Sequence, residues 1–208
     1  MQAKLLSALA DPLFIWRRGL GIVFVAAWVS SVGTGLAWLW RYEYTPGKPI
    51  SHPPAVRPEE LHGTGGRPMI AVFAHPRCSC SEATLEQLAR IKTHADNLDI
   101  RIFFITPLGQ PETWAKTRLR EQALRIPGAH VLDDPGGVIA MQYGAKTSGQ
   151  ILLFDGDGHL AFEGGITAFR GHYGDNDGSD AIAAVLRRWT PRHRTTPVFG
   201  CALLKRTL

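Results

Sequence analysis

The segment FAHPRCSCSEATLEQLARI (73–91) carries two of the chain's three cysteines, Cys78 and Cys80, one serine apart. An apolar, strand-like run leads in and a helix-like run leads out, so both thiols fall at a strand-to-helix junction. A thiol there faces unpaired backbone N–H groups and the positive end of the helix dipole, which favour thiolate. His75 and Arg77 add a proton acceptor and a positive charge. Cys78 therefore reads as an attacking thiolate and Cys80 as a resolving thiol; the alternatives are two inert buried cysteines or a plain staple. A C-x-C disulfide closes a smaller ring than C-x-x-C, and strain makes such a bond more reducible. Cys201 lies far away in TPVFGCALL. The apolar residues around it (Val198, Phe199, Ala202, Leu203, Leu204) favour docking, which would let Cys201 resolve Cys78 or Cys80; the alternative is a frayed tail with an unpaired thiol.

A second concentration of polar residues is GGITAFRGHYGDNDGSD (164–180), with Arg170, His172, Asp175, Asn176 and Asp177 among five glycines. Long polar loops often carry sites. The calcium-loop spacing and its distal Glu are missing, and the simpler reading is a turn whose Asp and Asn cap the final helix. Cys78 and Cys80 with His75 or His172 offer soft sulfur and nitrogen ligands suited to Cu(I); the donor set Cys78, Cys80, His172 is the alternative to a site without metal or other cofactor. Four closed ligands for zinc are not evident. No Gly-rich phosphate loop, Ser-His-Asp set or haem-attachment C-x-x-C-H occurs.

The chain has 208 residues, 45% apolar, with a net charge of +5. That length suits one ordinary domain plus appendages, and the composition excludes global disorder. Basic residues gather only near the end (Arg187, Arg188, Arg192, Arg194, Lys205, Arg206), with no nucleic-acid motif beside them, so no nucleic-acid partner is expected. Residues 19–40 are free of charge and, as a helix, rise about 33 Å, enough to cross a hydrocarbon core of about 30 Å. Trp16 on one side and Trp38, Trp40, Tyr42 and Tyr44 on the other resemble interfacial belts. Lys4, Arg17 and Arg18 before the span, against Arg41 and Lys48 after it, favour a cytoplasmic N-terminus; a cleaved signal peptide is the rival reading. The expected layout is a cytoplasmic segment 1–18, a transmembrane helix 19–40, a Pro-rich tether 41–67, a domain 68–190 and a tail 191–208. Anchored in the cell's inner membrane by a single pass, the domain would face the periplasm or the outside. Thiols there meet an oxidising compartment. An odd cysteine count leaves one thiol over after any pairing.

Six prolines between residues 45 and 68 describe an extended tether holding the domain off the membrane. Beyond it the patterns predict strands at 69–74, 100–106 and 130–134 and helices over 81–96, 111–125 and 138–144. A hairpin follows about Gly156-Asp157-Gly158, then an amphipathic helix at 179–189. Ser79 and Glu82 match a capping box. The order β-α-β-α-β-α-β-β-α is an α/β layer architecture.

That order over 68–190 resembles the thioredoxin fold, a central mixed sheet flanked by helices. More narrowly it is similar to the membrane-anchored, cytochrome-c-maturation type. YGAKTSGQILLFDGDGHLAFEGG (143–165) is similar to that family's short helix, loop and closing hairpin. FAHPRCSCSEATLEQL sits where the family carries W-C-x-x-C, and the full pattern with TPVFGC (196–201) looks like bacterial RedB-like proteins. The resemblance covers about 120 residues. It implies a thiol–disulfide oxidoreductase acting on protein thiols or disulfides, with Cys78 as nucleophile. The family's second cysteine falls at Ser81, and Cys80 takes an intervening position. The family's cis-proline falls at Gly149, after Thr147-Ser148. The resemblance puts these three residues at the substrate groove; with His75 and Arg77 beside Cys78, and Arg170 and His172 of the polar loop, they make up the expected substrate-binding set. Two further likenesses are weaker in pattern. HPRCS is similar to the peroxiredoxin T-P-x-C-T loop, with Arg170 as thiolate partner. Membrane-tethered, thioredoxin-like copper chaperones are similar in outline but use C-x-x-x-C and a distal His.

Overall fold

The structure is a computed structural model that describes residues 12–61 and 66–204; Lys4, Lys205 and Arg206 lie outside them. The chain divides at Glu43/Tyr44 into two units. The first holds nearly all of one helix, α1 (Pro12–Tyr44). Its stretch Trp16–Tyr44 is by length and composition apolar enough to cross a membrane, its most apolar 18 residues having a mean hydropathy of 1.8. Large apolar side chains such as Ile22, Phe24, Trp28 and Trp38 stand exposed along it.

The second unit is built on a five-stranded mixed sheet: β1 (Met69–Ala74), β2 (Asp99–Thr106), β3 (Ala129–Pro135), β4 (Gln150–Phe154) and β5 (Leu160–Gly164). The spatial order is β3-β2-β1-β4-β5. β1 runs parallel to β2 and antiparallel to β4, with Val72 opposite both Ile102 and Ile151. This is the thioredoxin-like arrangement that the sequence leads one to expect, with the β4–β5 hairpin at one edge. Because β1 is central and covered on both faces, all six of its residues are buried, which is why it reads as a continuous apolar run rather than an alternation.

One face (Ile70, Val72, Ile100, Ile102, Phe104, Leu153) packs under α2 (Cys80–Lys92), α3 (Arg118–Leu124) and α5 (Asp177–Leu186). The other (Met69, Ala71, Phe73, Phe103, Ile105, Phe154) takes Ala140 of α4 (Val138–Gln142), Tyr143, Leu61 and Leu203. Leu61 and Leu203 bring the pre-domain segment and the tail into the core. The Pro-rich segment accordingly does not stand off as a tether. Gly47 N–H donates to Val198 C=O (2.8 Å), Ser51 N–H to Gly144 C=O (3.0 Å) and Arg57 N–H to Gly158 C=O (2.7 Å), while Leu160 N–H reaches Ala55 C=O (2.9 Å). Proline removes donors at five positions from Pro46 to Pro58, and the intervening residues supply the bonds that lay this segment along the domain.

Three local expectations change. The capping box at Ser79 does not form: Ser79 is helical (φ −59°, ψ −31°) and makes no capping bond with its side chain, while the Glu82 carboxylate faces Arg118 at 3.5 Å. The predicted helix 111–125 is broken into a single 3₁₀ turn, Glu112–Ala115, and α3. Thr117 lies between them in an extended conformation and accepts from Arg120 N–H, a cap position that its hydroxyl satisfies better than a helix interior. The final helix starts at Asp177, and Asn176 with Ser179 forms a capping box, so the polar loop 164–180 ends in the helix cap foreseen as its simpler reading.

Asp134 went unnoticed in the sequence. Fully buried at the end of β3, it accepts from Ile139 N–H and Ala140 N–H, both at 2.9 Å, and so fixes the start of α4. Asp134→Ala orphans both donors and is expected to cost about 2–3 kcal/mol, measured by chemical denaturation of the full chain in detergent. A loss below about 0.5 kcal/mol would show that the carboxylate does not hold α4.

Candidate functional site: three converging thiols

The loop after β1 coils before the helix begins. Cys78 N–H donates to His75 C=O at 3.0 Å and Ser81 N–H to Cys78 C=O at 3.1 Å, two consecutive i→i+3 turns that fold C-x-C tightly onto the start of α2. Cys78 is 2% and Cys80 8% exposed. The third thiol arrives from the tail. Residues 201–203 pair with 146–148 in antiparallel fashion: Ser148 N–H donates to Cys201 C=O at 2.8 Å and Leu203 N–H to Lys146 C=O at 3.0 Å. Val198 and Leu203 are buried, each worth about 1.5–3 kcal/mol of apolar burial. Gly200 passes so close to the Ser148 carbonyl that a Cβ there would collide with it. Cys201 N–H then points at the Cys78 sulfur (3.4 Å), and the three Sγ atoms all lie within 4.8 Å of one another. All three cysteines are free.

Proximity divides the protons unequally. Cys78 is held far below the ordinary thiol range by the Cys201 thiol, then by the Cys80 thiol, with help from the Cys201 N–H and the Ser81 hydroxyl and against burial. Cys80 is raised: contact with Cys201 pulls it down, as does Arg170, but donation to Cys78, burial and the Cys78 charge outweigh them. Cys201 is pushed far up because it donates to both other sulfurs and is partly desolvated. The result is one thiolate, on Cys78, supported by two protonated neighbours. The cause differs from the one the sequence suggests. His75 and Arg77 are not among the groups that depress Cys78: the His75 ring accepts from Arg77 N–H (3.2 Å), and the Arg77 guanidinium lies 4.8 Å above Trp114.

The rest of the expected set has found uses within the protein. Ser148 is fully buried; its hydroxyl accepts from His75 N–H (2.7 Å) and pairs with the Ser81 hydroxyl (2.6 Å). Thr147 donates through Oγ1 to Lys48 C=O (2.8 Å), and the Gln150 carboxamide oxygen receives the N–H groups of Lys146 and Thr147. Gly149 has no cis peptide bond; it adopts φ +90°, and a Cβ would press on Thr84 Oγ1 at 2.8 Å, so a glycine serves where the family carries proline. Arg170 bridges Gly200 C=O (2.6 Å) and Thr45 C=O (3.1 Å) and touches the Cys80 thiol. It thereby clamps the tail to the segment leaving α1. His172 is exposed, bonded to Arg170 C=O (2.8 Å) and set at a tilt against Phe169; the sulfur cluster takes in Cys201 rather than His172. A cavity of about 280 Å³ lined by Pro76, Arg77, Cys78, Thr117 and Arg118 opens beside the thiolate. Gln150, Gly200 and Trp114 escaped the sequence reading. Only Gly200, next to the tail cysteine, offered a signal.

No family model matches the chain, and no curated protein matches it. Solved structures share its fold. A hypothetical protein from Sinorhizobium meliloti aligns at 19% identity over 77% of this chain and 94% of its own (TM-score 0.56). An uncharacterized conserved protein from Geobacillus kaustophilus aligns at 16% over 79% and 94% (TM-score 0.55). A thioredoxin-like protein from Aeropyrum pernix aligns at 11% over 78% and 99% (TM-score 0.46). For the first two, at these identities, the likeness concerns the fold alone.

Cys201→Ala removes the strongest S–H donor to Cys78. The alkylation rate of Cys78 against pH should show a midpoint well below about 8.5 in the parent chain, and the substitution should raise it by at least about one unit. An unchanged midpoint would mean that the tail thiol does not stabilise the thiolate.

Proposed function

We propose that the chain is a membrane-anchored, extracytoplasmic thiol–disulfide oxidoreductase with three working thiols. The observation that carries this reading is the convergence of the Cys78, Cys80 and Cys201 sulfurs within 4.8 Å, with the negative charge gathered on Cys78. The resemblance of the sequence to cytochrome-c-maturation-type and RedB-like proteins agrees with it. In the reducing direction, the Cys78 thiolate attacks a disulfide of a partner protein. A Cys78–partner bond forms and the partner's other sulfur leaves as thiolate, taking a proton from solvent. Cys80 or Cys201 then loses its proton and attacks Cys78, expelling the second partner thiolate. The chain ends two electrons oxidised and the partner two electrons reduced; the reverse sequence oxidises a dithiol.

Two neighbours that can resolve make the mixed disulfide short-lived. Incubated with glutathione disulfide, the parent chain should accumulate little adduct. Cys80→Ser combined with Cys201→Ser should hold a stable glutathione adduct on Cys78, identified by mass spectrometry of the digested protein. Absence of an adduct on Cys78 in that double variant would overturn the assignment of Cys78 as nucleophile.

The anchoring reading rests on the uncharged run 19–40 within α1 and on Lys4, Arg17 and Arg18 before that run. In intact spheroplasts, external protease should digest residues 44–208. Protection until the membrane is broken would place the thiols on the cytoplasmic side.

A further inference from the structure

We propose that the three thiols, when reduced, also form a binding site for Cu(I), with the Sγ atoms of Cys78, Cys80 and Cys201 as its ligands. The activity is separate from thiol exchange and uses the same sulfurs in a different state.

The geometry carries it. Three sulfurs at about 2.3 Å from a common ion lie about 4 Å apart. Here all three are within 4.8 Å of one another before any ion draws them in, so closure asks for shifts below an ångström. The donors are all soft thiolates, which select Cu(I) over hard cations. Among the described residues no carboxylate or imidazole joins the group, leaving a structural zinc site one ligand short. Outer-shell support is in place. Cys201 N–H is directed at the Cys78 sulfur. Arg170 contacts the Cys80 thiol while gripping Gly200 C=O, so a guanidinium offsets part of the charge that three thiolates around a monovalent ion would carry. Such second-layer contacts fix ligand orientation. Two of the donors are buried on a helix start and the third is delivered by the tail, so the ion would close a ring spanning the whole domain. Binding is a ligand exchange without electron transfer: Cu(I) leaves its donor complex, three Cu–S bonds form, and the remaining thiol protons pass to solvent.

The test is an anaerobic titration of the reduced full chain in detergent with Cu(I), using bicinchoninate as competing chelator, followed by X-ray absorption. The expected result is one Cu(I) per chain with three sulfurs at about 2.3 Å. Cys201→Ser should leave two sulfurs and weaken binding more than about 100-fold, since loss of an outer-shell partner alone costs about 10–100-fold. Gly200→Ala keeps all three thiols but pushes the tail away, and should weaken binding as well. His172→Ala should leave the three-sulfur shell around the ion unchanged. The proposal is overturned if the chain takes up no Cu(I), if Cys201→Ser binds like the parent, if X-ray absorption shows a nitrogen ligand that His172→Ala removes, or if the site keeps Zn(II) against equimolar Cu(I). Cu(I) uptake by the parent chain, with no glutathione adduct on Cys78 in the Cys80→Ser/Cys201→Ser variant, would leave this proposal standing and remove the exchange reading; the opposite pattern would do the reverse.

Discussion

The site depends on a short antiparallel pairing between the tail and the segment before β4. Two hydrogen bonds, Ser148 N–H to Cys201 C=O and Leu203 N–H to Lys146 C=O, place a residue from position 201 beside a loop at position 78. Leu203 seals the pairing by entering the core on the α4 side of the sheet, and Gly200 permits the close approach. Without that pairing the protein would have a C-x-C motif at a helix start and nothing more. With it, one thiolate is stabilised by two neighbouring thiols.

The same pairing links the site to the rest of the chain. Arg170 holds Gly200 C=O and Thr45 C=O together, and Tyr44 stacks on Phe169 at 4.9 Å. Tyr44 and Thr45, at the end of α1 and just after it, are therefore part of the framework of the thiol cluster. A segment read as a spacer works instead as a structural strap, because its non-proline residues donate to carbonyls of the tail, the α4 turn and the hairpin.

Much of the fold was legible. Apolar runs such as 69–74 and 100–106 could only be buried strands, and Gly156-Asp157-Gly158 marked the hairpin. The break at Lys116–Thr117 was not legible, because the apolar spacing continues across it and only the capping geometry of Thr117 ends the run. At the site, Cys78 and Cys80 announced themselves by position, whereas the cause of the Cys78 shift did not. Local reasoning pointed to Arg77 and His75, residues adjacent in sequence, but Trp114 engages Arg77 and Cys201 supplies the donor. Both decisive contacts join residues far apart in the chain, and no local pattern encodes them. The tail could be read only as far as its apolar composition and its leftover thiol.

The central claim is that Cys201 is a working member of the redox site. It is tested most directly by mild, stoichiometric oxidation of the full chain followed by peptide mapping without reductant. The account predicts a disulfide joining the Cys201 peptide to the peptide that holds Cys78 and Cys80. A map showing Cys201 as a free thiol, with Cys78 and Cys80 stably bonded to each other, would contradict it.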